Sequence, residues 1–230
     1  IPIKGGAMAQ LGRVLQKLDN TDLPIHVTPV AKAMISEIAR QIGFPAGLVL
    51  SQLANPALSA TALKLLGPAG RTFYPLLRHS ASPTILRGSS KINVIPGEVT
   101  LQLDGRILPG FTPDDLLNEL RAALGPHAEL EVLRYDPGPS APNMALFAML
   151  ADILKTADPD GTPMPLMLSG VTDARFFSRL GIQTYGFLPM DLPADFQFSN
   201  TIHAADERIP VGALAFGTRA ILTALQRFGE

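Results

Sequence analysis

The residues best suited to chemistry gather late in the chain. Between residues 168 and 210, a turn containing Ser169, Gly170 and Thr172 precedes a short helical pattern, and a polar loop then carries His203 ahead of Asp206, Glu207 and Arg208. A Gly-containing turn that opens a helix presents backbone N–H groups to an anion or a developing oxyanion. A lone histidine is more often a hydrogen-bonded structural residue than a ligand, and Ser-Gly turns before helices are commonplace. Two residues upstream also stand out. Asn93 can both donate to and accept from an amide or acyl group, and Arg106 offers a planar fork that matches a carboxylate. Taken by themselves, Asn93 reads as a turn residue before a proline motif and Arg106 as a solvated strand charge.

The elements that must position these side chains follow from periodicity. In residues 98–108, Val99, Leu101, Leu103 and Ile107 alternate with Thr100, Gln102, Asp104 and Arg106, the period of a strand with one buried and one wet face. Gly105 interrupts the apolar set, as a bulge or a close approach. Residues 83–86 are a candidate partner strand, and Asn93 falls in a turn over 91–96. Thr112 is a good N-cap, with Pro113 at the first helical position and Asp115 completing a capping box. Leu116, Leu117, Leu120 and Leu124 give that helix its buried side, and Gly125-Pro126 ends it. Residues 128–132 alternate as a further short strand.

Earlier, Leu11, Val14, Leu15 and Leu18 mark an amphipathic helix over 7–18. Helical segments over 30–42 and 57–66 make up a helical insertion at about 22–71, where His26 reads as structural. Later, residues 137–142 (PGPSAP) read as a linker. Beyond it come a helix over 144–156 capped by Asn143, a strand at 164–168 and a helix over 173–180 stopped at Gly181. A strand at 184–188 and a last helix over 211–228 follow. Such alternation indicates a largely parallel α/β sheet with both faces covered. The order helix, strand, strand, helix, strand before the linker is most of a βαββαβ sandwich.

The totals narrow the function classes. The 230 residues are 47% hydrophobic and 17% charged, a globular composition. A net charge of −1 gives no electrostatic case for nucleic acid or an anionic membrane. No apolar run approaches the ~20 residues of a membrane helix. With no cysteine there is no disulfide framework or thiolate metal site, which fits a cytoplasmic protein. The opening Ile1-Pro2-Ile3 has neither an initiator Met nor a signal pattern and reads as part of something longer.

Two sets of motifs carry a resemblance. One is Ser90-Lys91-Ile92-Asn93-Val94-Ile95-Pro96-Gly97-Glu98 followed by Asp104-Gly105-Arg106-Ile107-Leu108-Pro109-Gly110. The other is S-G-V-T-D-A-R-F-F from Ser169, then Y-G-F from Tyr185 and I-H-A-A-D-E-R-I-P from Ile202. Together they resemble the dinuclear zinc amidohydrolase and aminopeptidase family, which includes acetylornithine deacetylase, succinyl-diaminopimelate desuccinylase, aminoacylase and carboxypeptidase S. The helical insertion and the V-T-D-A-R form of the turn lean toward the carboxypeptidase S-like branch.

The resemblance implies a ferredoxin-like lid, or dimerisation, domain over 1–136 and the C-terminal part of an α/β zinc-peptidase-like catalytic domain over 137–230. It implies that Asn93 and Arg106, spaced as in the family, bind substrate from the lid. Ser169, Gly170 and Thr172 match the substrate-binding turn, although Val171 stands where the family has a second glycine. His203 matches the late zinc ligand, with Asp206 and Glu207 either orienting it or pairing with Arg208. The family uses two zinc ions held by an H-x-D pair, a bridging Asp, an acidic residue beside the catalytic Glu, and the late His. Here the four histidines are His26, His79, His127 and His203; none has that H-x-D context, and no Glu-Glu pair occurs. The general base is therefore expected upstream of Ile1. The expectation is an isolated chain that is inactive and prone to self-association, from a parent that cleaves N-acyl amino acids or small peptides as a homodimer through the lid. The competing reading is a non-catalytic dimerisation or binding module. A nucleotide phosphate site at Ser169-Gly170 is disfavoured, because the Gly spacing is wrong and no Walker-type Lys follows.

Overall fold

Periodicity and caps set the helices of the first half. The computed structural model describes residues 4–138 and 143–229, so much of the expected linker lies outside it. Helix α1 (Ala7–Asn20) buries Val14. Helix α2 (Pro29–Ile42) starts at Thr28, whose side chain accepts the Ala31 N–H at 3.2 Å, an orphan donor that capping satisfies. Helix α3 (Ala46–Ser51), a 3-10 turn (Gln52–Ala54), α4 (Ser59–Leu66), a second 3-10 stretch (Gly67–Phe73) and α5 (Tyr74–Leu77) follow. Their apolar faces close on Ala31, Met34, Ile35, Leu50, Leu53, Leu63 and Leu77, joined by Leu108 and Met167. The stretch expected as an insertion thus carries the larger core. Gly47 lets two of these helices approach closely, since a Cβ there would lie 2.2 Å from the Ala39 carbonyl oxygen.

Strand β1 (Ser80–Arg87) pairs antiparallel with β2 (Thr100–Arg106), from Ser80 opposite Arg106 to Arg87 opposite Thr100. The register slips between Pro83 and Ile85. Pro83 has no N–H to give the ladder, and Thr84 Oγ1 donates instead to the Gln102 carbonyl at 3.3 Å. The irregularity expected at Gly105 falls on the partner strand; Gly105 is the close approach, since a methyl there would lie 3.0 Å from Leu116 Cδ2. Helix α6 (Pro113–Leu124) opens with the full Thr112–Asp115 capping box. It buries Leu116, Leu120 and Leu124 and stops at Gly125, where φ is 67°. Leu116, Leu120 and Leu23 form a second, smaller core over Leu103 and Ile107.

The described residues divide into two units, 4–138 with 166–175, and 143–165 with 176–229. The second contains α7 (Phe147–Ala157), most of α8 (Ala174–Arg179), α9 (Phe198–Thr201) and α10 (Val211–Arg227). Tyr185 Oη donates to the Asn143 carbonyl at 2.5 Å and accepts the Leu146 N–H at 3.2 Å, and Arg227 reaches Asp152 at 2.7 Å. Asn143, expected to cap α7, instead accepts the Ala145 N–H at 2.9 Å in the preceding turn. Helix α10 packs with its small residues inward. Ala213, Gly217 and Ala220 are buried, and Gly217 passes so close to the Pro189 carbonyl oxygen that a Cβ would sit 2.5 Å from it. Its large apolar residues face outward; Val211 is 83% exposed and Leu225 69%.

The parallel sheet is a correction. Residues 128–132, 164–168 and 184–188 are not strands, and among the described residues the only sheet is the β1–β2 pair. An apolar or alternating run becomes a strand only when a neighbour takes its N–H and C=O groups, and these runs have no such neighbour here. No helix of the described residues is long and apolar enough to cross a membrane.

Candidate functional site

Arg106 closes β2, and the strand's period of two places it on the same face as Asp104. Its Nε and Nη2 donate to one Asp104 carboxylate oxygen at 3.0 and 2.9 Å. Its Nη1 donates to the Ser169 carbonyl at 3.4 Å. The two side chains are 42% and 47% exposed, so water screens the pair and its worth to folding is small. A guanidinium at a strand end, held by one carboxylate and open to solvent, is available to a second carboxylate. The structure therefore joins Arg106 to Ser169, two of the residues singled out from sequence.

Asn93 lies where the turn was expected, exposed, in a loop closed by the Val94 N–H to Lys91 carbonyl bond at 3.2 Å. Ser89 Oγ braces that loop by accepting the Lys91 N–H at 3.1 Å. Ser169 and Gly170 form an exposed bend behind Met167, which is buried in the larger core and anchors the segment. Thr172 Oγ1 accepts the Ala174 N–H at 3.3 Å, so the donor expected to face an anion is already taken. Helix α8, six residues long, adds little dipole. The turn offers side chains and carbonyls more than an amide cradle.

His203 is in the second unit, just past α9, exposed and left-handed with φ 60°. Its backbone N–H donates to Glu207 at 3.3 Å, while Asp206 pairs with Arg208. The neighbouring carboxylates thus serve the backbone and an arginine. One imidazole so placed supplies a single donor, short of the three protein ligands a zinc site ordinarily has.

A cluster that sequence spacing did not reveal lies in the first unit. His26 Nε2 is 2.6 Å from Glu119 Oε1, and His79 Nε2 is 3.9 Å from the same oxygen. The Phe111 ring lies 4.6 Å from the His26 ring and 4.8 Å from the His79 ring, centre to centre. His79 is 2% exposed; burial holds its imidazole below the usual pKa, against the pull of the Glu119 charge. His26, read as structural, is here a hydrogen-bond partner of Glu119. The cluster's members stand 53 and 40 positions apart (79 − 26 and 119 − 79), and Glu119 sits on a helix that reads as ordinary amphipathic sequence.

Comparison with known proteins places these residues. Residues 2–131 match the M20 family's peptidase dimerisation domain. The chain belongs to that family. Asn93, Arg106 and the His26–His79–Glu119 cluster all fall inside the matched M20 region. The M20 relatives include human N-fatty-acyl-amino acid synthase/hydrolase PM20D1, 26% identical over 98% of this chain and 45% of that protein. Succinyl-diaminopimelate desuccinylase of Magnetococcus marinus is 29% identical over 76% of this chain and 44% of its own length. A probable carboxypeptidase S-like protein of Dictyostelium discoideum is 23% identical over 92% and 40%. The chain thus spans less than half the length of these curated relatives. No solved structure matched it. The relatives support a hydrolase-related protein that carries a dimerisation portion.

Proposed function

We propose that this chain is the lid and C-terminal portion of a zinc-dependent hydrolase that cleaves amide bonds of N-acyl amino acids or small peptides. The observation that carries the reading is the dimerisation-domain match over 2–131, extended by a relative that aligns with 98% of the chain and is named for N-fatty-acyl amino acids. In this reading residues 1–136 are a ferredoxin-like lid that pairs with a second copy, and residues 137–230 belong to a catalytic domain of cytoplasmic location. Arg106 binds a substrate carboxylate through a charge-assisted fork. Asn93 meets the acyl amide, and Ser169, Gly170 and Thr172 line the same substrate. His203 is one zinc ligand. The sequence holds neither an H-x-D pair in the family's context nor a Glu-Glu pair, so the chain by itself lacks the donor set and the general base and is inactive.

The test is elemental mass spectrometry after dialysis against trace zinc, with sedimentation and an N-acyl amino acid hydrolysis assay on the same sample. Well under one ion per chain, no turnover and a dimer support the proposal. Two tightly held ions or turnover would sink it. A dimer of this chain that never gains activity when joined to any hydrolase half would favour the non-catalytic dimerisation module.

A further inference from the structure

The cluster of His26, His79 and Glu119 has the residue types of a metal site, with ligand atoms within 4.8 Å of one another. The hydrogen bonding of His79 argues against a metal. Its Nδ1 accepts the Leu108 backbone N–H at 3.1 Å, so the neutral ring carries its one proton on Nε2, the nitrogen facing Glu119. A metal at Nε2 would require that proton to leave and the ring to become an imidazolate, whereas a metal-bound histidine ordinarily donates its second N–H. Nε2 of His79 is buried with no hydrogen-bond partner, and so is Oε2 of Glu119. The arrangement is built to hold a neutral imidazole beside a carboxylate.

We propose that His79 is a protonation latch on the outgoing end of β2. While neutral, it holds Leu108 through the N–H···Nδ1 bond. When a proton from solvent adds to Nδ1, that nitrogen becomes a donor facing another donor, and the Leu108 bond breaks. No other bond changes; the second proton stays on Nε2, where the cation faces Glu119. Leu108 is the point at which β2, the larger core and the turn into α6 meet. It is buried, and its carbonyl accepts the Phe111 N–H at 3.2 Å. Releasing it loosens the strand end two residues beyond Arg106.

The groups acting on His79 are Glu119 and Asp115 from α6, which favour the added proton, and His26 from the segment before α2, which opposes it together with burial. Arg78 precedes His79 on its own segment and turns its Nη1 to the Leu23 carbonyl. A cavity of about 260 Å³ bordered by Arg78, His79, Asp22 and Lys17 brings solvent to this segment, while the His79 side chain itself is fully buried. Because burial lowers the folded pKa, the latch is fully closed above the unfolded value of 6.5 and opens as pH falls through the lower folded value.

Nuclear magnetic resonance on the isotope-labelled 230-residue chain tests this. Near pH 7.5 the His79 ring should be the Nε2–H tautomer; as the pH is lowered below 6.5 and through the folded value, Leu108 amide exchange, corrected for its intrinsic rate, should rise roughly tenfold. In His79→Asn the Oδ1 atom keeps the acceptor near the Nδ1 position without titrating, so Leu108 protection should stay constant with pH. An Nδ1–H tautomer, unchanged Leu108 protection in acid, or the same acid loosening in His79→Asn would overturn the latch. One equivalent of zinc bound at micromolar concentration with the His79 nitrogen shifted would do so too. If His79→Asn does not fold, the titration of the unsubstituted chain decides. None of these readouts depends on hydrolase activity.

Discussion

Arg106 carries its own counter-charge, Asp104, two positions back on the same strand face, and that pairing shapes what the residue can do. An incoming carboxylate must share or displace Asp104, which sits 2.9 Å from Nη2. Arg106→Lys, which keeps the charge but loses the fork, should weaken binding of an N-acyl amino acid by about tenfold. Asp104→Asn should strengthen it. Calorimetric titration reads both; equal affinity in all three proteins would show that Arg106 is only a surface charge. At this scale the sequence was partly legible. Asn93 and Arg106 could be singled out because their motifs are local and contiguous, and their part in binding substrate is the proposal made above. The His26–His79–Glu119 cluster was not, since only tertiary folding brings three separated segments to one point.

At the scale of elements, what could be read from sequence divides along the source of each element's hydrogen bonds. Helix α6 was readable to its caps, because a helix satisfies itself and its end signals lie within a few residues. Thr112→Ala removes the acceptor for the Asp115 N–H and should cost about 1 kcal/mol, measured by urea denaturation. The same box holds the Asp115 carboxyl below its usual value through its bonds from Thr112. Its contribution is therefore complete above the unfolded value of 3.8 and disappears as pH falls below it, a dependence that Thr112→Ala should flatten. The runs at 128–132, 164–168 and 184–188 misled because a strand borrows its bonds from a neighbour that sequence does not name. The core of α2 to α5 was understated for another reason: its helices are short and interrupted, and their fit depends on Gly47 lying against Ala39. Gly47→Ala should destabilise the first unit by roughly 1–3 kcal/mol through overpacking, seen as a lower urea midpoint.

For the whole molecule, burial is uneven. Among the described residues, the two apolar clusters lie in the first unit. In the second, Ile153, Ala213, Gly217, Ala220 and Thr201 are the buried residues of its helices. The outward Val211, Leu214, Leu222 and Leu225 of α10 form an apolar row of the kind that drives association. That row also bears on how the molecule takes up heat. Unfolding raises heat capacity in proportion to the apolar surface it newly wets, about 12–15 cal/mol/K per residue in ordinary domains. Surface already wet adds nothing to that step. In dilute solution the second unit should therefore melt over a broad range with a heat-capacity increment per residue well below the ordinary value, while the first unit melts sharply with a normal one. Differential scanning calorimetry would resolve the two, and a single sharp transition with a full increment would show that the apolar row of α10 is covered.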